Sequence, residues 1–348
     1  MTAFRIATAT DDALLRSILR ENGMPTWVEM AIEREPSFFA GADLFGRDWA
    51  VIASEGEDVV GAYTASVLPV HVDGARERLG YLGGLRVLPR HRRRIRHLRE
   101  GYGSIERLAR ETGTRAWWFT AVAEDNRAAR RLLESGVAGL PAYVPLGGYV
   151  TLGLPQARAR RAGLWRGAKE ADLETLVQFH NAHAARFQLS PVLDAPAVRR
   201  IGLECFFVHE REGATAGVAA LWDQRAFKQV VARRYRAPIG ALVPAYNAFA
   251  RMFRRMPLPR EGRALEQTSV AFLALSDEAA AGGGALVRDL LSHCRTPVAS
   301  LGLHAAHPLL GELKALGAIS YRARLYAVSF HDRAALAALP VQPEAALL

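Results

Sequence analysis

Residues 80–113 read GYLGGLRVLPRHRRRIRHLREGYGSIERLARETG. The opening run, through Leu85 and Val87, is apolar and extended in character. It ends at Pro89, which lacks the N–H that a sheet ladder needs. A dense basic turn follows and opens a helix. A helix start leaves main-chain N–H groups unpaired at the positive end of its dipole, which favours a phosphate or pyrophosphate. Arg92, Arg93, Arg94, Ile95, Arg96 and His97 would form that cradle, with arginine forks supplying charge-assisted contacts. The same run also reads as a solvated basic helix face, as charge runs often do.

Outward from this stretch, the chain repeats itself. FRIATATDDALL from Phe4 matches WRGAKEADLETL from Trp165, and Asp11 and Asp172 each lie six residues beyond an arginine, Arg5 and Arg166. WAVIASEGEDVVGAYTA from Trp49 matches FFVHEREGATAGVAAL from Phe206. Each reads as a hairpin around a glycine, Gly56 or Gly213. AWWFTAVAEDNRAARRLLESG matches VASLGLHAAHPLLGELKALG, a strand, loop and helix closed by Gly136 or Gly317. Apolar stretches around residues 143–152 and 321–330 close the two halves. The arginine-rich stretch 156–167 reads as the linker, which divides the chain into residues 1–157 and 158–348. The expected fold is α/β (α+β), two tandem copies, each a mixed, mostly antiparallel twisted sheet flanked by helices.

Leu-Arg-Val-x-Pro followed by a basic turn, with Val87, Pro89 and Arg92 in place, resembles the acyl-CoA-binding motif of the GNAT acyltransferases. That motif's glycines are replaced here by arginine or isoleucine. Asn126, Ala129, Leu132 and Gly136 match a second family segment, and Leu133 stands where its tyrosine would be. The resemblance implies acyl transfer from acetyl-CoA to a primary amine by direct attack. Leu85, Arg86 and Val87 would then meet the pantetheine arm, with Asn126 also at the cofactor, and no tyrosine on the second helix would protonate the thiolate. In the second half, 275–291 holds the corresponding place. Its Gly282, Gly283 and Gly284 lack the surrounding motif, so this copy reads as degenerate.

A general base is needed for amine attack. Glu124, at the end of a strand, and Tyr81, at the start of the CoA-binding strand, are the candidates, and both also have ordinary structural readings as a dipole partner and a half-buried ring. Trp222, Asp223, Lys228 and Tyr235 crowd one segment that reads as cleft lining or as a solvated passage. His180 and His183 are three apart with no acidic or cysteine partner, so no metal is expected.

The 348 residues suit two domains, and the hydrophobic share of 50% suits ordinary globular cores. The charge of +10 is consistent with a nucleic-acid partner, but among 45 basic residues only Lys169, Lys228 and Lys314 are lysines. That skew fits arginine-rich coding better than phosphate selection, and the expected partner is a small-molecule or peptide amine. Cys205 and Cys294 form no disulfide or metal pattern. With no signal-like or membrane-spanning run, the expected location is cytoplasmic. The alternative to an enzyme is a non-catalytic binding or scaffold protein of the same fold, and oligomeric state is not written in the sequence.

Overall fold

In the computed structural model, the described residues are 2–21, 23–25, 27–92, 95–115, 117–330 and 336–348. Arg93 and Arg94 of the expected cradle lie outside them. The first half contains β1 (Ala3–Ile6), α1 (Asp12–Glu21), β2 (Met24–Pro25), β3 (Val28–Glu33), β4 (Arg47–Glu55), β5 (Asp58–Val72) and β6 (Ala75–Val87). It continues with α2 (Ile95–Thr112), β7 (Trp117–Ala123), α3 (Arg127–Glu134) and β8 (Ala142–Pro155). The second contains β9 (Trp165–Gly167), α4 (Leu173–Ala184), α5 (Ala195–Ile201), β10 (Phe206–Arg211), β11 (Ala214–Trp222), β12 (Gln229–Tyr235), α6 (Ile239–Met252) and β13 (Arg263–Ala264). It closes with β14 (Gln267–Leu275), α7 (Asp277–Ala280), α8 (Gly283–Leu290), β15 (Val298–His304), α9 (Leu309–Ala315) and β16 (Ile319–Ser329).

The repeated segments adopt the same local structure for the same physical reasons. Arg5 forks onto Asp11 at 2.6 and 2.7 Å, and Arg166 onto Asp172 at 2.7 and 2.8 Å. Both aspartates also accept a main-chain N–H three residues back, from Thr8 and Lys169, and so start their helices alike. The two hairpins turn at Gly56 and Gly213, and the two later helices stop at Gly136 and Gly317, all at positive φ where glycine is unstrained.

The two expected sheets are joined into one of twelve strands, ordered β1-β4-β5-β6-β7-β16-β8-β15-β14-β11-β10-β9. Read from either edge, the order is the same repeated unit, except that each half takes its sixth strand from the other. β16 lies beside β7, β8 lies beside β15, and β8 and β16 pair with each other. This exchange leaves no open edge at the junction, where unpaired main-chain groups would otherwise be buried. A four-stranded sheet, β13-β12-β3-β2, joins the halves a second time. The linker is pinned as well: the buried Asp289 carboxylate accepts main-chain N–H groups of Ala162, Gly163, Leu164 and Trp165.

One core layer lies between the sheet and α2, built on Tyr63, Leu82, Ile105, Leu108 and the fully buried Trp118. Gly80 is required there, because a Cβ on it would sit 1.8 Å from the Trp118 ring. On the opposite face Phe45, Tyr81, Phe119, Leu176, Phe206 and Phe272 form a core shared by both halves. The glycine triplet of the second half also serves packing. A Cβ on Gly283 would meet Leu309 at 2.4 Å, and one on Gly284 would meet Glu312 at 2.2 Å, so these glycines let α8 approach α9.

Candidate functional site

β6 and β7 pair in parallel only at Tyr81–Phe119 and Leu82–Thr120, and beyond that point they part. On the other side of β6, the residues Gly84–Leu85 bulge opposite the single residue Tyr63 of β5. Gly84 takes φ +59°, and a Cβ on it would lie 3.0 Å from the Thr64 hydroxyl. The bulge therefore turns main-chain groups out of the ladder where two parallel strands part, with Gly84 and Leu85 exposed.

The second half repeats this geometry with the parting filled. β14 and β15 pair in parallel only over Gln267–Ser269 and then part, and Phe272–Leu273 bulge opposite Ala219. Phe272 has φ +53°, strained for a bulky residue. Its N–H donates to Glu344 Oε2 at 2.7 Å. Gln342 bonds β15 through the His304 N–H and the Gly302 carbonyl, both at 2.9 Å. Ala345 packs against Gly302, where a Cβ would lie 2.4 Å away. Residues 341–348 thus bridge the two strands where the first half has its opening. Burial pushes the Glu344 carboxyl up to about 7 and the Lys228 ammonium down to about 8. Lys228 Nζ donates to the Ala346 and Leu348 oxygens at 3.4 and 2.6 Å. Of the crowded segment, Lys228 holds this plug together with Gln224, whereas Asp223 pairs with Arg225 and the Tyr235 hydroxyl donates to the Pro259 carbonyl.

In the first half, the strand before the turn presents Leu85 exposed and Arg86 and Val87 half-buried. Arg92 is exposed and donates from Nε to the Val87 carbonyl at 3.0 Å, which folds it back over the end of β6. Ile95 begins α2. Arg96 is ion-paired with Glu55, and His97 is buried beneath the turn with Nδ1 2.9 Å from Thr2 Oγ1. His97 is thus turned inward, away from any phosphate on the turn, because its apolar neighbours place that helix face in the core. Asn126 caps α3, its side chain accepting the Ala129 N–H at 3.2 Å. Leu133 packs half-buried in the α2 layer.

Glu55, His91 and His97 bring one ligand atom each within 4.8 Å of one another. Each is engaged through one atom, Glu55 with Arg96, His97 Nδ1 with Thr2 and His91 Nε2 with the Arg90 Nε at 3.0 Å, while the buried His91 Nδ1 has no hydrogen-bond partner among the described residues. Two guanidinium groups in that shell oppose a divalent cation. His180 is buried against Phe272, and His183 bonds the Phe179 carbonyl at 2.9 Å, so the helical histidine pair is divided between separate structural roles.

The two candidate bases are not brought together. Tyr81 sits beside the parting of the strands. Glu124 follows β7, five residues beyond Phe119 and so about 16 Å along the strand. Burial pushes the Tyr81 hydroxyl above its ordinary range, which suits a donor rather than a base. A different carboxylate is on the right face. The register aligns Asp48, Ser66 and Tyr81 across β4, β5 and β6, and one step nearer the bulge it aligns Ala50, Thr64 and Gly83. Directly paired residues share a face, so Asp48 stands over the same surface as Tyr81 and Thr64. Its carboxylate accepts the Ser66 hydroxyl at 2.5 Å and the Asp43 N–H at 3.0 Å. The sequence signal was a carboxylate on the inward face of an otherwise apolar alternation, Asp48, Ala50, Ile52.

The acetyltransferase (GNAT) family model matches residues 25–137. This stretch is a GNAT domain. It contains the bulge, the basic turn and Asp48. No curated protein matches the chain in sequence. Among solved structures, N-myristoyltransferase from Saccharomyces cerevisiae, with bound myristoyl-CoA, is similar at a TM-score of 0.61 and 11% identity, covering 95% of this chain and 80% of that one. A GCN5-related N-acetyltransferase from Anabaena variabilis is similar at a TM-score of 0.52 and 9% identity, covering 94% and 72%. At such identities the likeness is one of fold, a mixed α/β architecture.

Proposed function

We propose that the protein is an acyl-CoA-dependent N-acyltransferase whose single working site lies in residues 1–157, with residues 158–348 a degenerate copy. The observation that carries this reading is the pair of equivalent bulges, one exposed at Gly84 and one closed by the chain's own Glu344. Phe272 N–H holds a carboxylate oxygen in the closed copy, and Gly84 N–H is its counterpart in the open one. A donor at that position favours the oxygen of a thioester as negative charge develops on it.

In the proposed reaction the acceptor ammonium gives one proton to Asp48, and its nitrogen then attacks the acyl carbon. The C–S bond breaks with its electron pair on sulfur, and the second nitrogen proton neutralises the thiolate. A thiolate leaves readily, with an ordinary pKa near 8.5, which tolerates Leu133 in place of a dedicated acid. Positioning on the sheet face contributes the rest. Acetyl-CoA is the expected donor, and the likeness to a myristoyl-CoA-binding enzyme makes longer chains the comparison to run beside it. The basic turn would take the CoA phosphates.

Arg92→Ala is accordingly expected to weaken CoA binding at least tenfold, as loss of a charge-assisted contact of about 1.5–3 kcal/mol implies. The melting temperature is expected to stay within about 2 °C, since Arg92 is exposed. Calorimetric titration with CoA reads this directly. Unchanged affinity would make the turn a solvated face.

A further inference from the structure

Helix α6 carries apolar side chains outward. It packs on the four-stranded sheet through Ile239 and Val243, which join Val28, Ala232 and Tyr235. Only Val243 and Ala250 of its 14 residues are buried. A surface helix ordinarily turns a polar face to water. Here Leu242, Phe249 and Met252, with Phe253 at the helix end, are 59%, 47%, 72% and 47% exposed. At 3.6 residues per turn these positions fall on one face, and Ala241, Ala245 and Ala248 are exposed on it as well. The Phe249 and Phe253 rings lie 4.4 Å apart, so the face is a contiguous apolar patch rather than scattered single residues. Arg251, the one charged residue of α6, stands at its edge.

The charge around this face has one sign. Residues 234–260 contain six arginines and no lysine, aspartate or glutamate. Arg234 and Arg236 precede α6, and Arg254, Arg255 and Arg260 follow Arg251; all six are exposed. Among the described residues only Arg234 of the six is ion-paired, with Glu29 at 3.5 Å. Glu261, next along the chain, is turned to the Tyr235 N–H at 2.8 Å. Arg158 donates to the Phe253 and Arg254 carbonyls at 2.9 and 3.0 Å, which fixes the end of the helix and adds a further cation there. An outward apolar helical face with arginines at both ends and no acidic group suits the interface of an anionic bilayer, where acyl chains take the apolar side chains and headgroup phosphates take the guanidiniums. A second copy of this face would set like charges against one another. A nucleic-acid backbone would leave Leu242 and Met252 in water.

We propose that α6 docks the protein on an anionic lipid surface, with Leu242, Phe249, Met252 and Phe253 entering the boundary between headgroups and acyl chains. The contact is peripheral, since no helix among the described residues is long and apolar enough to cross a membrane. Apolar burial and counter-charge act together, each cation near an anionic surface contributing about fivefold in partition. The proposal stands apart from the acyltransferase reading, because no residue of α6 belongs to the site at the Gly84 bulge.

The test is co-sedimentation of the full chain with vesicles of phosphatidylcholine alone and of phosphatidylcholine and phosphatidylglycerol in equal amounts, at rising salt. Partition onto the anionic vesicles is expected to be stronger by about tenfold or more and to weaken as salt rises. Met252→Asp is expected to lower it by about fivefold or more while the melting temperature stays unchanged, because this side chain is already in water. Arg251→Glu with Arg254→Glu is expected to lower it by about tenfold or more. Arg107→Glu with Arg110→Glu, the same change of charge on exposed positions of α2, is the control and is expected to have a much smaller effect. Equal losses from the two arginine pairs, or no loss from Met252→Asp, would reduce the binding to net charge and overturn the proposal. Absence of vesicle binding would overturn it too, whether the face then pairs two copies in sedimentation velocity or takes soluble polyglutamate.

Discussion

An Asp48→Asn chain is expected to keep its fold and its CoA affinity and to lose about 10²–10⁴-fold in acyl transfer, the range that a positioned proton acceptor contributes. The amide oxygen can accept the Asp43 N–H while the amide nitrogen donates to the Ser66 hydroxyl oxygen, so the local hydrogen bonding is kept. What is lost is the ability to take a proton from the bound ammonium. Raising the pH is expected to restore part of the rate, because free amine becomes available without the base. Steady-state thiol release across pH 6–10 on both proteins is the measurement. Equal rates at every pH would remove Asp48 from the reaction and return attention to other groups near the bulge. Glu124→Gln, at the far end of β7, is the natural control and is expected to retain most activity.

The second large effect is on stability. Glu344→Ala leaves the Phe272 and Ala346 N–H groups without their carboxylate partner, and each unmet buried donor costs about 1–3 kcal/mol. The melting temperature is expected to fall by several degrees. The pH dependence has a definite sign. Glu344 has its folded pKa raised from 4.5 to about 7, so the folded chain binds its proton more tightly than the unfolded chain does. Its contribution is complete below pH 4.5 and is lost as pH rises toward 7. Glu344→Gln, which cannot ionise, is expected to remove that pH-dependent decline of about 1–3 kcal/mol, at a constant cost at every pH for the one N–H that its single amide oxygen leaves unmet. Lys228, lowered from 10.5 to about 8, acts in a separate window: its contribution is full above pH 10.5 and is lost as pH falls through 8. Urea titrations from pH 4 to about 11 cover both windows and separate the two. A wild-type stability that rises between pH 5 and 7 in a manner sensitive to Glu344→Gln would contradict the burial of this carboxyl.

Local signals carried much of the architecture. The six-residue arginine–aspartate spacing, the glycine-turned hairpins and the glycine-stopped helices each depend on residues close in sequence, and each appears twice in the structure. The exchange of β8 and β16 has no such signature. Both strands are apolar on alternate positions and either could pair beside β7 or β15, so sequence alone gives no register or neighbour. The second bulge was hidden because Phe272 occupies a backbone conformation that usually announces itself with glycine. The glycine triplet, read in sequence as lacking the binding motif, has a packing use that the sequence did not show: Gly283 and Gly284 carry no Cβ where α8 meets α9. At the site, the motif between Leu85 and Arg92 was legible as a strand and a turn. Asp48, Thr64 and Tyr81 come from three separate strands and share a face only through sheet register. His97 and Arg96 belong to the same basic run as Arg92, but helix periodicity turns His97 into the core and an ion pair with Glu55 engages Arg96.

Sites at the exposed and closed bulges can be counted. Calorimetric titration of the full chain with acetyl-CoA is expected to give one binding equivalent per chain. Gly84→Val, which forces a branched side chain into a positive-φ bulge against Thr64, is expected to abolish it. Two equivalents per chain, or one equivalent that survives Gly84→Val unchanged, would contradict a single working site in the first half.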